Sequence, residues 1–402
     1  MKAINLLVVA ITVTFWTQTS IASNAGSITV NCNLPPAHQA PGMPRDRLGR
    51  AIRNAQPGDT LIVIGTCEEA ITIDQGPLTI DGRGTAVIAG THFNPGASEF
   101  NGLVTIDGAQ GVILRGLTVR DSQAEGILAV RGAGVLMEDL NITGNRTGIR
   151  LSQSNLEFRD SAVLDSLGTA LMAVSGSTVV FRGQAELTGN AGAGLFLEGN
   201  SMGEIRGAHV YADNNLLGLI VSQHSTVAVL ELDSAVGSIL STRNNTAIGM
   251  QFGQGMLMVA GEGRPVGNVL IESSANGGPG LVAVAGSQVA SPFGAARFVF
   301  TDNPVGMVLS SDASLEIRGG LQLNDNLGPG LVASGAGVVT LRSWPDADHP
   351  GPVTDPSPSS ITGNGGPAVI ADFGSRLDLN DVEIIGPILC DPTVISRTAI
   401  CQ

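Results

Sequence analysis

Asp121, Glu125, Arg150 and Asp165 come closest to forming catalytic machinery in this 402-residue chain. Carboxylates of this kind could hold a divalent cation beside an arginine that moves a proton. Asp121 and Asp165 occupy equivalent places two repeats apart, with Thr143 between them. Solvated surface charge explains the same four residues more simply, so they stand only as a fallback set. The outward-facing row of the repeated strands, described below, offers no pair of Asp or Glu for general acid/base glycoside cleavage. The five histidines (His38, His92, His209, His224 and His349) fall in different repeats without HxH or HExxH spacing. Lys2 is the only lysine, which excludes a lysine base from the rest of the chain. No catalytic residue is assigned on this reading, and neither metal nor cofactor is expected.

The elements that would position such residues repeat. From Gly102 onward a small residue followed by an alternating apolar strand returns about every 24 residues, as at Gly126, Gly148, Ala170, Gly194 and Gly218. A period of this length predicts a solenoid, whose units bury their apolar faces by stacking on one another. If the residue after the glycine points inward, the next points out. The outward row then reads Val104, Leu128, Arg150, Met172, Phe196, Ile220, Gln251, Val282, Val308, Val332 and Ile370. Nine of these eleven are apolar, so the row predicts a binding surface more readily than an active site. Asparagine recurs before the small residue, at Asn145, Asn190, Asn215, Asn245, Asn276, Asn303, Asn326 and Asn364. Because Asn tolerates left-handed backbone and satisfies turn amides, a structural ladder is expected there.

Extra residues fall near Glu231–Ser238, Gly261–Gly267, Pro292–Ala295 and Ser343–Ser359, each between the second and third strands of its unit. Stacked in register, such insertions project from one side and form a candidate lip. The longest carries Trp344. The binding residues expected on this reading are Met172, Phe196, Ile220, Val282 and Trp344.

Composition narrows the classes further. A formal charge of −14 argues against nucleic acid or an anionic membrane surface as partner. The run Ile4–Trp16, preceded by Lys2 and followed by small residues, reads as a secretory signal peptide, cleaved after Ala22 or Ser23. Export permits disulfides. Four cysteines allow three pairings, and their positions near the two ends favour Cys32–Cys67 and Cys390–Cys401. Asp46 to Ala55 reads as a short amphipathic helix, ended by Gln56-Pro57-Gly58-Asp59.

That helix, the Ala55-Gln56-Pro57-Gly58-Asp59-Thr60 turn and Leu78-Thr79-Ile80-Asp81-Gly82-Arg83-Gly84 resemble the opening of right-handed parallel β-helix proteins of the pectin-lyase-like superfamily. Gly144-Asn145-Arg146-Thr147-Gly148-Ile149-Arg150-Leu151 is similar to that superfamily's repeat. The resemblance implies an all-β fold, a single-stranded right-handed parallel β-helix of about a dozen coils with a short N-terminal capping helix. The division expected is a signal peptide at 1–22, a leader and capping helix at 23–68, the β-helix at 69–386 and a disulfide-closed tail at 387–402. The superfamily hosts lyases, hydrolases, epimerases and non-enzymatic proteins, so it does not fix activity. The "NTD", "DD", "GHG", "RIK" and "DPHD" motifs of its carbohydrate-active members are absent. The functional expectation is a secreted or periplasmic, non-catalytic protein that binds a protein or polysaccharide along one side. The alternative is a divergent polysaccharide lyase, hydrolase or epimerase acting on uronic-acid polymers, and only this alternative calls for Ca²⁺.

Overall fold

The computed structural model describes residues 25–33, 47–91, 93, 101–231, 237–261, 269–342, 359–397 and 401. The expected signal peptide, residues 1–22, and Trp344 lie outside the described residues. Each coil supplies three short strands. The first strands stack into a thirteen-stranded parallel sheet, here called the first face. The second and third strands form two further faces of a twenty-one-stranded sheet. In several coils these two strands are continuous, as in Asn155–Leu164 and Thr178–Thr188, and a register shift bends one face into the other. Alternation sends one set of side chains into a core that runs the length of the solenoid, including Ile149, Leu171, Leu195, Leu219, Met250 and Leu281. Phe158 stacks on Phe181 in this core with ring centroids 6.1 Å apart.

The recurring small residue has a steric cause. A Cβ on Gly249 would overlap Ser273 Oγ and lie 2.6 Å from the Gly280 carbonyl oxygen of the next coil. The asparagine ladder is present and buried. The Asn190, Asn215, Asn245, Asn276, Asn303 and Asn326 backbone N–H groups each donate to the side-chain oxygen of the asparagine one coil on, at 2.8–3.1 Å. The ladder begins with Asn145, and Ser166 interrupts it before Asn190. A second ladder, of serines, stacks at the corner between first and second strands. There the Ser154, Ser177 and Ser201 amides donate to the hydroxyls of Ser177, Ser201 and Ser225. Both ladders satisfy corner amides that the strand stacks leave unpaired.

The ends are closed differently. The helix Arg47–Asn54 buries Leu48 and Ile52 against the first coils. It has no acid in its own first turn. Instead Glu69 reaches back and accepts the Leu48 and Gly49 N–H groups at 2.8 and 3.1 Å, a cap supplied from the following coil. Cys32–Cys67 and Cys390–Cys401 are the two disulfides, as their positions suggested. Strand Ser27–Asn31 pairs in parallel with Thr60–Ile64.

Asp59 ties this cap together by accepting the Gly26 and Gln56 N–H groups, both at 2.8 Å. The Gln56 amide and then the Gly26 amide hold its carboxyl below the usual carboxylate range, against the opposing effect of burial. A depressed folded-state pKa stabilises above the unfolded value and is lost as pH falls through the folded one. Amide exchange in Ser27–Asn31, corrected for intrinsic rate, is therefore expected to accelerate as pH drops below about 4. The same change is expected to be absent in Asp59→Asn.

The described residues that flank the four insertions lie at one corner, between second and third strands. The flanking strand ends are Glu231 and Ser238, Gly261 and Val269, and Arg342 and Ser359, with a register shift between Ser291 and Ala296. One short coil, at Arg318-Gly319-Gly320, separates the third from the fourth.

Candidate functional site

The outward row on the first face is in register from Leu128 onward. Leu128, Arg150, Met172, Phe196, Ile220, Gln251, Val282, Val308, Val332, Ile370 and Leu389 each pair with the next. Val104 does not belong to it. Gly102 pairs with Glu125, so Val104 meets Ile127 and is fully buried, and Thr105 takes the place beside Leu128. Leu128 is outward by register yet fully buried. From Arg150 to Ile370 the row is half-buried, and Leu389 is 53% exposed. Three leucines at the corner that leads into this face also stand out, Leu167 at 73%, Leu216 at 46% and Leu327 at 73% exposure. A cavity of about 650 Å³, lined by Ile370, Leu389 and Val394 among others, opens at the C-terminal end.

In the fallback catalytic set, one pair is in direct contact. Arg150 Nη1 lies 3.4 Å from Glu125 Oε1 on the first face. Asp121 pairs instead with its neighbour Arg120 at 3.1 Å. Asp121 and Asp165 both have left-handed backbone, with φ of 63° and 52°, in a corner column that also holds Gly144, Gly189, Asn214 and Asn244. Their recurrence two coils apart reflects this turn, which Asp, Asn and Gly tolerate better than other residues.

Charge concentrates on the second face, which the sequence reading did not single out. Asp81, Arg115, Glu138, Arg159 and Arg182 are successive rungs of one outward row, and Arg206 continues it. Arg115 binds Asp81 at 2.8 Å, and Arg159 binds Glu138 at 3.1 Å and Glu157 at 2.5 Å. Arg206 pairs with Glu204, which is buried. The Glu157 hydrogen bond raises the Arg159 pKa above its ordinary value, aided by Glu138 and opposed by burial. Burial would raise the Asp81 pKa, but the Arg83 amide and Arg115 together depress it. Both shifts favour the charged, paired forms. The sequence signal was available as Glu157-Phe158-Arg159, Glu204-Ile205-Arg206 and Glu316-Ile317-Arg318, an acid and a base two residues apart on one side of a strand.

On the third face His209 and Tyr211 contact edge-on, with centroids 6.4 Å apart. Asp213 holds Arg243 through Nε and Nη2 at 3.2 and 3.1 Å and accepts the Ser241 hydroxyl at 2.9 Å. Among the described residues, one group of metal-type donors converges, Cys32, Cys67 and Glu69. Two of the three are joined in a disulfide and the third caps the helix, so the set does not fit a metal ion.

Residues 101–291 match the family described as a right-handed β-helix region. Similar solved structures include pectate lyase Pel9A, with 13% identity and a TM-score of 0.44 over 73% of this chain and 78% of that one. An alginate lyase from Paenibacillus sp. str. FPU-7 shows 14% identity and a TM-score of 0.27, over 80% and 96% of the two chains. Tailspike protein 3 of bacteriophage CBA120 shows 11% identity and 0.31, over 89% and 59%. Likeness at this level does not bear on activity. No curated protein matches the sequence. The stacked parallel strands and the family match make the chain a right-handed parallel β-helix repeat protein.

Proposed function

We propose that this is an exported, non-catalytic β-helix protein that engages another protein along its first face. The carrying observation is the in-register row from Met172 to Leu389, apolar at every rung except Gln251, half-buried up to Ile370 and exposed at Leu389. At roughly 4.8 Å per coil and 3.3 Å per residue along the strand, a face of this length offers about 500 Å². That footprint includes the polar outward neighbours Glu198, Ser222, Ser310 and Ser334, and the apolar row runs through it as a continuous stripe of the kind that marks an interaction site. A polysaccharide is the poorer fit for this row, because Phe196 is its only aromatic ring. Two disulfides suit an oxidising compartment, and no helix among the described residues is long and apolar enough to cross a membrane.

The test is a photo-crosslinking amino acid placed at Phe196, with a control at Thr118 on the third face, in cells exporting the protein. A discrete protein adduct from position 196 and none from position 118 is expected. No adduct at 196, or equal adducts at both, would overturn the reading.

The second reading, a divergent polysaccharide lyase, hydrolase or epimerase, draws support from the charged row on the second face beside the insertion corner. Against it, Arg159 is locked as a cation between Glu157 and Glu138 and is unsuited to accept a proton. Purified protein is expected to leave pectate and alginate intact with or without Ca²⁺. Turnover abolished by Arg159→Ala, Arg150→Ala or Asp121→Ala would establish the enzyme instead.

A further inference from the structure

We infer that the protein on the first face is a second copy of this chain, packed antiparallel about a two-fold axis at Gln251. This deepens the reading above and rests on it. The nine rungs from Arg150 to Ile370 place Gln251 at the centre, with four on either side. The side toward the N-terminus carries the larger groups, Met172, Phe196 and Ile220. The other side carries Val282, Val308 and Val332. Reversing one copy over another sets Ile220 on Val282, Phe196 on Val308 and Met172 on Val332, large against small at each rung. Such alternation lets two sheet faces interdigitate at the usual separation of about 10 Å.

Three further features obey the same two-fold. Leu167 and Leu327, the two most exposed leucines among the described residues, each follow the ladder position of their coil, and those coils exchange places under this axis. Each leucine would therefore cover the other. Leu216 falls opposite Gly277, again large on small. Arg150 falls opposite Ile370, whose strand leads two residues on to Asp372, giving a cation beside an acid at each end. The one polar rung, Gln251, meets its own copy on the axis. Its amide can donate to and accept from the partner's amide, which would fix register as a buried Asn does in a coiled coil.

The size is adequate. About 500 Å² on each copy amounts to about 1,000 Å², the lower bound for a specific interface, before the corner leucines are added.

The experiment combines sedimentation velocity of the exported protein with cysteine cross-linking. Wild-type protein is expected to sediment as a dimer in the micromolar range. Phe196→Asp is expected to weaken association about thirtyfold or more, with its circular dichroism unchanged. Oxidising a mixture of Leu167→Cys and Leu327→Cys proteins is expected to join the two variants, while neither variant alone forms a covalent dimer. A wild-type monomer, or covalent dimers from Leu167→Cys alone, would overturn the proposal. A monomer whose position 196 still captures a different protein would sink the self-association and leave the first-face reading standing.

Discussion

Asn245→Asp is expected to destabilise the solenoid by about 3–5 kcal/mol at neutral pH, the cost of an uncompensated buried charge. Asn245 is 1% exposed. Its oxygen accepts the Asn215 N–H at 2.9 Å, which a carboxylate would tolerate. Its Nδ2, however, donates to Asn276 Oδ1 at 3.0 Å, and the substitution sets two acceptors against each other there. The effect should shrink in acid, because a protonated Asp can again donate. Urea melts of Asn245→Asp at pH 4 and pH 7 check this. Wild-type stability at pH 7, or a defect that does not lessen in acid, would show that the ladder amides are not paired as described.

Phe181→Ala comes next, with an expected loss of about 3–5 kcal/mol from lost burial and the cavity left behind. Phe181 is fully buried, stacks edge-on against Phe158 and lies in register with Ile205. Because each coil contacts only its neighbours, the damage should stay local. Hydrogen exchange is expected to accelerate in Asn155–Leu164 and Met202–Tyr211 while Arg376–Leu379 keeps wild-type protection. Uniform loss of protection would mean that the solenoid unfolds as a single unit.

The repeat was legible in the sequence because its steric cause recurs in every coil. Where Gly249 crowds Ser273 and the Gly280 carbonyl, few other residues fit, so small residues mark the period. The asparagine ladder was legible for a similar reason, since each buried side chain answers an amide that nothing else satisfies. The disulfides followed from cysteines grouped near the ends. Register at the first coil was not legible, because pairing begins at Glu125 and not at the glycine beside it. The recurrence of Asp121 and Asp165 two coils apart has a backbone cause that the sequence does not display. A recurring acid resembles a site in one dimension, while the structure shows a left-handed corner. Glu69 as a helix cap depends on a contact some twenty residues distant, which no local pattern announces. The acid–arginine pairs of the second face did leave a local mark, but a search along the first strands passes over them.

The claim on which the account turns is that the apolar row of the first face, broken only at Gln251, is uncovered within one copy. Nitroxide labels at positions 172, 196, 220, 282, 308 and 332, each read for collision with a water-soluble relaxant in dilute monomeric protein, test it directly. All six positions are expected to be accessible, with a label at position 128 shielded as Leu128 is. Shielding along the six would contradict the account, since some part of the chain would already occupy the surface reserved here for a partner.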